Sequence, residues 1–128
     1  MGLILERLDA EGGNGVSSRK EATLSRSQLA TIRDYLESRL SCDIRVRELA
    51  GLLGMDEGRL SRTIKATTGY APYEYITACR MERAKSQLVA GSSVTDTAFV
   101  VGYANPSKFA AAFKRVVGCT PSDWRRRS

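Results

Sequence analysis

Histidine is absent from this chain, whose twenty lysines and arginines stand against fourteen carboxylates. Without an imidazole, neither a Ser–His nor a Cys–His nucleophile can be assembled, and transition-metal sites lose their commonest ligand. The three cysteines, Cys42, Cys79 and Cys119, lie far apart and form no C-x-x-C pair, so zinc-finger spacing is missing. They read as reduced thiols packed in a core. The carboxylates are scattered over faces expected to be solvated, with no dedicated acid–base pair. No catalytic, metal or cofactor site is therefore expected. What remains is donation from cations and polar side chains, which suits phosphate oxygens and base edges. Two short stretches concentrate such donors: Arg59, Ser61, Arg62 and Lys65, and then Asn105, Ser107, Lys108, Lys114 and Arg115.

The charge is uneven. Residues 1–24 carry a net −1 and residues 25–128 a net +7. A basic domain behind an acidic tail points toward a polyanion, of which nucleic acid is the common case; solubility alone would produce the same excess. No apolar run approaches the roughly 18 residues of a membrane span. Hydrophobic residues make up 42% of the chain, enough for a packed core.

The elements that must hold these donors read as helices. Residues 1–24 divide into an apolar stub, MGLILERLDA, and a Gly/Ser-rich linker. The stub has no basic n-region and too short an apolar run for a signal peptide. It reads as the end of a preceding domain, which would make the chain the C-terminal part of a longer protein; a complete small regulator is the alternative. From 25 onward the helical period takes over. Leu29, Ile32, Leu36 and Leu40 predict a helix over about 28–40. VRELAGLLG and DEGRLSRTIKATTG follow, with Asp56 as N-cap and Gly69 as C-cap of the second. Pro72 opens a long helix with Ile76, Arg80, Ala84 and Leu88 on one side, and Gly91 ends it. VTDTAFVVGY and NPSKFAAAFKRVVG repeat the cycle, with Asn105 as cap and Pro106 as first helical residue, and Pro121 opens a last short helix. The class is all-α, with about seven helices.

Two stretches match each other. Ala50, Gly54, Leu60, Ile64, Lys65, Gly69, Pro72 and Tyr75 pair with Ala98, Gly102, Phe109, Phe113, Lys114, Gly118, Pro121 and Trp124. The offset is 48 residues through the first glycine and 49 afterwards, so one extra residue sits in the second turn. Each copy reads as helix-turn-helix. The alanine allows close helix approach, the glycine a left-handed turn, and the i, i+4 pair faces the core. The outward positions are then Glu57, Gly58, Arg59, Ser61, Arg62 and Lys65 on one helix. On the other they are Pro106, Ser107, Lys108, Ala110, Ala111 and Ala112. Tyr75 and Trp124 read as core, and Tyr35, Tyr73 and Tyr103 as core or rim. Arg125, Arg126 and Arg127 form a basic end, either touching phosphate or solvated.

Val94 through AFVVGYANPSKFAAAFKRVVGCTPSDWR resembles the signature of the AraC/XylS family of bacterial transcription regulators. ELAGLLGMDEGRLSRTIKATTGYAPYEYI and RMERAKSQL fit the same pattern, so the likeness covers about residues 27–126. The resemblance implies a homeodomain-like domain over 25–128, with two helix-turn-helix subdomains joined by a long central helix. It implies that a monomeric domain engages two successive major-groove segments of double-stranded DNA, in the cytoplasm, and that it contacts RNA polymerase. A full-length regulator could still dimerise. A central helix of 17 residues would be about 25 Å long, compatible with recognition helices about 34 Å apart. Arg62 falls where the family carries a base-reaching arginine, with Arg59 and Ser61 beside it. Gly58 and Ala111 depart from the larger side chains usual at their positions. The second unit is therefore expected to grip phosphate through Ser107, Lys108, Lys114 and Arg115 more than it reads bases, Ala111 offering only a methyl contact. Two other classes stay open beside this one: a helical module that binds proteins, RNA polymerase among them, with only non-specific DNA affinity, and, much less favoured by the residues, an enzyme.

Overall fold

A computed structural model describes residues 22–127; the readings placed on residues 1–21 lie outside them. Among the described residues there are seven helices and no strand: α1 (Arg26–Ser38), α2 (Val46–Leu53), α3 (Glu57–Thr68), α4 (Pro72–Val89), α5 (Val94–Val100), α6 (Pro106–Val117) and α7 (Pro121–Arg127). The all-α expectation holds. None of these helices is long and apolar enough to cross a membrane. The first helix lies two residues earlier than the period suggested, because Ser25 and Gln28 form a capping box. The Ser25 hydroxyl accepts from the Gln28 N–H at 3.1 Å, and the Gln28 side chain accepts from the Ser25 N–H at 2.9 Å. Leu40 is buried beyond the helix end.

The chain divides into two compact units. The described part of the first comprises residues 22–37 and 44–76. Leu24 is buried there, and its N–H donates to Thr67 Oγ1 at 2.8 Å. Ile32 and Leu36 are the buried residues of α1. The Tyr35 hydroxyl ties α1 to α2 by donating to the Glu48 carboxylate at 2.7 Å. Helices α2 and α3 pack together, with Leu49 and Ala50 buried on one and Leu60 and Ile64 on the other. Three threonines are also buried on α3, and each hydroxyl donates to a carbonyl one turn back: Thr63 to Arg59 at 3.0 Å, Thr67 to Thr63 at 2.6 Å, Thr68 to Ile64 at 2.8 Å. Their burial therefore strands no donor.

The second unit holds residues 38–43 and 77–127. Its core joins Met81, Ala84 and Leu88 of α4 to Ala98, Val101, Phe109, Ala112 and Phe113. Tyr103, Phe109, Phe113 and Trp124 form a chain of tilted and edge-on rings, with centroids 5.7, 5.7 and 6.4 Å apart, the geometry that ring quadrupoles favour. The Lys85 ammonium sits 5.0 Å from the centre of the Trp124 ring. Arg125 is not part of a loose basic end. Its Nε donates to the Ser92 carbonyl at 2.9 Å and its Nη2 to the Gly91 carbonyl at 3.1 Å, just past the end of α4. Arg126 pairs with Asp123. Cys42, expected in a core, is exposed, because it falls in the segment between α1 and α2 rather than on a helix face; Cys79 and Cys119 are half-buried.

Arg80 shares a side of α4 with Ile76, Ala84 and Leu88, all buried. Its Nη1 donates to the carbonyls of Leu40 and Val101, and its Nη2 to that of Cys42. Burial pulls its pKa below the ordinary arginine value, partly offset by Tyr103 and Asp43. A guanidinium nonetheless stays charged in proteins, and charge-assisted bonds are the stronger kind. Gly102 lies directly against this group. A Cβ there would collide with the Arg80 guanidinium and the Leu40 carbonyl oxygen, whereas one at Gly54 would meet nothing within 4 Å. Both glycines have positive φ, 95° and 69°. Gly54→Ala should therefore cost only the backbone term of about 1–2 kcal/mol. Gly102→Ala should cost clearly more, and Arg80→Met, which leaves three carbonyls without their donor, about 2 kcal/mol. Urea unfolding followed by circular dichroism, and by fluorescence of the single tryptophan, Trp124, measures all three. Equal costs at the two glycines would remove the argument for Arg80.

Candidate nucleic-acid interface

The duplicated pattern becomes duplicated hydrogen bonding. In the first copy, the N–H groups of Gly54 and Met55 donate back to the carbonyls of Gly51 (3.4 Å) and Ala50 (3.0 Å). In the second, Gly102 and Tyr103 donate to Phe99 (3.1 Å) and Ala98 (2.9 Å). Each pair closes a first helix whose last turn ends on a left-handed glycine. Ala50 and Ala98 are buried at the helix crossing, as their size demanded. The second helix of each copy then starts on a side-chain cap. Asp56 accepts from the Arg59 N–H and Asn105 from the Lys108 N–H, both at 2.8 Å. The extra residue of the second copy falls between the glycine and this cap, as the change of offset from 48 to 49 requires. Gly69 and Gly118 close α3 and α6, through N–H bonds to the Lys65 and Lys114 carbonyls at 2.9 Å.

Once Leu60 and Ile64 are committed inward, α3 has one face left. Glu57, Gly58, Arg59, Arg62 and Lys65 are exposed on it and Ser61 is half-buried. The Arg62 guanidinium lies back along the helix: its Nη1 is 3.5 Å from where a Cβ on Gly58 would stand. On α6, Phe109 and Phe113 are buried, while Ser107, Lys108, Ala111, Lys114 and Arg115 are exposed and Pro106 and Ala110 half-buried. Ala112 corrects the outward reading. It is buried, because it stands three residues from Phe109 and next to Phe113 on the inward stripe. The donors named from the sequence thus gather on one face of α3 and one of α6, with Ala111 on the latter. Asn105 differs from the others in already spending its side-chain oxygen on a cap.

Sequence reasoning passed over a cleft in the first unit, of about 330 Å³, lined by Arg45, Arg47, Glu57, Ser61 and Tyr73 with Val46 and Pro72. Arg45 and Arg47 flank the start of α2, and Glu57 and Ser61 belong to α3. Tyr73 was expected in the core or at its rim but is 61% exposed, because it follows Pro72 on the first turn of α4 while Tyr75 and Ile76 take the inward positions. The alternation of Arg45 and Arg47 about the half-buried Val46 was the available signal.

Two helix-turn-helix copies, each with exposed donors on its second helix, define a tandem helix-turn-helix protein. A family model described as a helix-turn-helix domain matches residues 49–127. A Streptomyces antibioticus protein named as an AraC-like transcription regulator is 40% identical over 82 residues, which cover 63% of this chain and 27% of that one. The C-terminal domain of AraT, a response regulator from Geobacillus stearothermophilus, superposes with a TM-score of 0.71 at 30% identity, over 82% of this chain and 88% of its own. The DNA-binding domain of AdpA, a global transcriptional factor solved in complex with a target DNA, does so with a TM-score of 0.70 at 25% identity, over 78% and 91%. The chain belongs to the AraC/XylS family of helix-turn-helix DNA-binding domains. It spans 27% to 36% of the length of the curated relatives it matches.

The orientation of α6 is testable without DNA. Ala112→Arg should unfold the second unit or cost it several kcal/mol, since it buries an unpaired charge. Ala111→Arg should stay within about 0.5 kcal/mol of the parent. Urea midpoints from Trp124 fluorescence separate the two, and the opposite order would reverse the assigned face.

Proposed function

We propose that the chain binds double-stranded DNA sequence-specifically, as the DNA-contacting part of a bacterial transcription regulator acting in the cytoplasm. In this reading α3 and α6 enter successive major-groove segments and the domain binds as a monomer. The observation that carries it is the repeated glycine turn that leaves the exposed donors of α3 and α6 on the second helix of each copy. The AdpA domain, of the same fold, was solved on a target DNA. Contact with RNA polymerase belongs to the same reading and rests on the family resemblance.

The two helices divide the work. Arg62, with Arg59 and Ser61, reads bases from α3; arginine pairs bidentately with guanine O6 and N7. Lys65 adds a phosphate contact. On α6, Ser107, Lys108, Lys114 and Arg115 hold phosphate and Ala111 can only touch a thymine methyl. The Asn105 oxygen is taken by its cap, which leaves its amide group to donate to phosphate.

Selection of bound duplexes from a random pool, followed by titration of each base substitution in the winner, tests this. Two blocks about one turn apart should emerge, with mismatch penalties of about 1–3 kcal/mol in the stronger block and smaller ones in the weaker. Arg62→Ala should abolish discrimination at one position of the stronger block, and Ala111→Arg should sharpen the weaker block. Equal penalties in both blocks would refute the division of work. If no motif emerges and scrambled duplexes bind equally well, the specific reading fails in favour of a protein-binding module with non-specific DNA affinity.

A further inference from the structure

We infer that the cleft between α2, α3 and the start of α4 is a seat for the DNA backbone, with Arg45 and Arg47 gripping phosphate and Tyr73 donating its hydroxyl beside them. The inference rests on the proposed function and extends it to residues outside the two recognition helices. Three observations carry it. Arg45 and Arg47 are both exposed and stand two apart on either side of the half-buried Val46, at the same cleft. Tyr73 shares this lining and keeps 61% of its surface in solvent, although packing would cover so large a ring if stability were its task. The third wall is α3 itself, through Ser61 and Glu57, so whatever occupies the cleft lies beside the helix assigned to the major groove. A strand of duplex DNA running past that helix presents a phosphate there, and phosphates accept from Arg, Ser and Tyr donors alike. Glu57 is the one acid of the lining. It sits at the first position of α3, where recognition helices meet base edges rather than backbone, so the phosphate belongs on the arginine side of the cleft.

Nothing equivalent occurs in the second copy. With the offset of 48 residues, Arg45 and Arg47 correspond to Ser93 and Thr95, and the Ser93 hydroxyl already caps α5 by accepting from the Asp96 N–H. The backbone seat is therefore a property of the first unit only.

Backbone contacts and base contacts leave different signatures. Losing a phosphate contact weakens all sequences alike and lowers the salt slope; losing a base contact changes the ranking of sequences. The full 128-residue chain is titrated by fluorescence anisotropy onto the selected duplex, its single-base variants and a scrambled control, across a salt series. For R45A/R47A the slope of log affinity against log salt should fall by about 1.8, at about 0.9 for each contact, with the order of duplexes unchanged. R45K/R47K should keep the parent slope. Tyr73→Phe should weaken every duplex several-fold at unchanged slope. Circular dichroism and thermal melting confirm that each variant is folded; these side chains are exposed, so little change is expected. A parent slope in R45A/R47A, or a reordering of the duplexes, overturns the seat while leaving the base-reading assignment intact. Failure of the parent chain to bind any duplex overturns the functional reading itself, and the seat with it.

Discussion

The second helix-turn-helix depends on a single cation. The Arg80 guanidinium collects the carbonyls of Leu40, Cys42 and Val101, three acceptors from two stretches of chain far apart in sequence. Val101 is the C-cap, just past the end of α5, so this carbonyl has no helical successor to satisfy it. The donor reaches it from α4, and the turn can close only if nothing occupies the space between. Gly102 supplies both conditions, a left-handed backbone and no Cβ. The same turn in the first copy has no such guest: Gly54 lies in open space, and only its φ demands glycine. Two turns that look alike in sequence are thus held by different physics, one local and one through long-range bonds.

A comparable asymmetry runs through the second helices. Both bury an i, i+4 apolar pair and both begin on an oxygen cap. The cores behind them differ: threonines with internally satisfied hydroxyls on α3, and phenylalanines linked by ring contacts to Tyr103 and Trp124 on α6. The exposed faces differ in the opposite sense. Helix α3 carries two arginines, a serine and a lysine, whereas the middle of α6 is alanine. Where the core is aromatic and large, the middle of the outer face is small.

Much of this was legible before any coordinates. The caps at Asp56 and Asn105 and the inward pairs depend on residues within a few positions of one another, where local stereochemistry decides, and the repeat with its one-residue slip emerges when one such stretch is laid on the other. Ala112 could also have been placed, since three residues from Phe109 is the same face of a helix. The Ser25–Gln28 capping box has a recognisable sequence form that the linker-like composition around it concealed. Arg80 marked itself by interrupting an apolar face, yet its partners lie 21 to 40 residues away, and no periodicity reports them. Tyr73 and Cys42 failed for a related reason. Aromatic rings and thiols are usually buried, but burial here was settled by which neighbours on the same turn took the inward positions, and by a connector that lies outside any helix.

Gly58 and Arg62 are best understood as one feature. Residues four apart share a helical face, and a long side chain leans over the turn N-terminal to its own position. With glycine at 58, that turn is bare, and the Arg62 guanidinium reaches back to within 3.5 Å of the missing Cβ. A larger residue at 58 would contribute its own contact but would also compete for this space. The missing side chain thus leaves the arginine free to range along α3 toward its N-terminus, the end that the proposed reading places against base edges. Because Arg62 is exposed, swinging away from the helix surface, as the proposed base contact requires, costs it no burial and breaks no core contact.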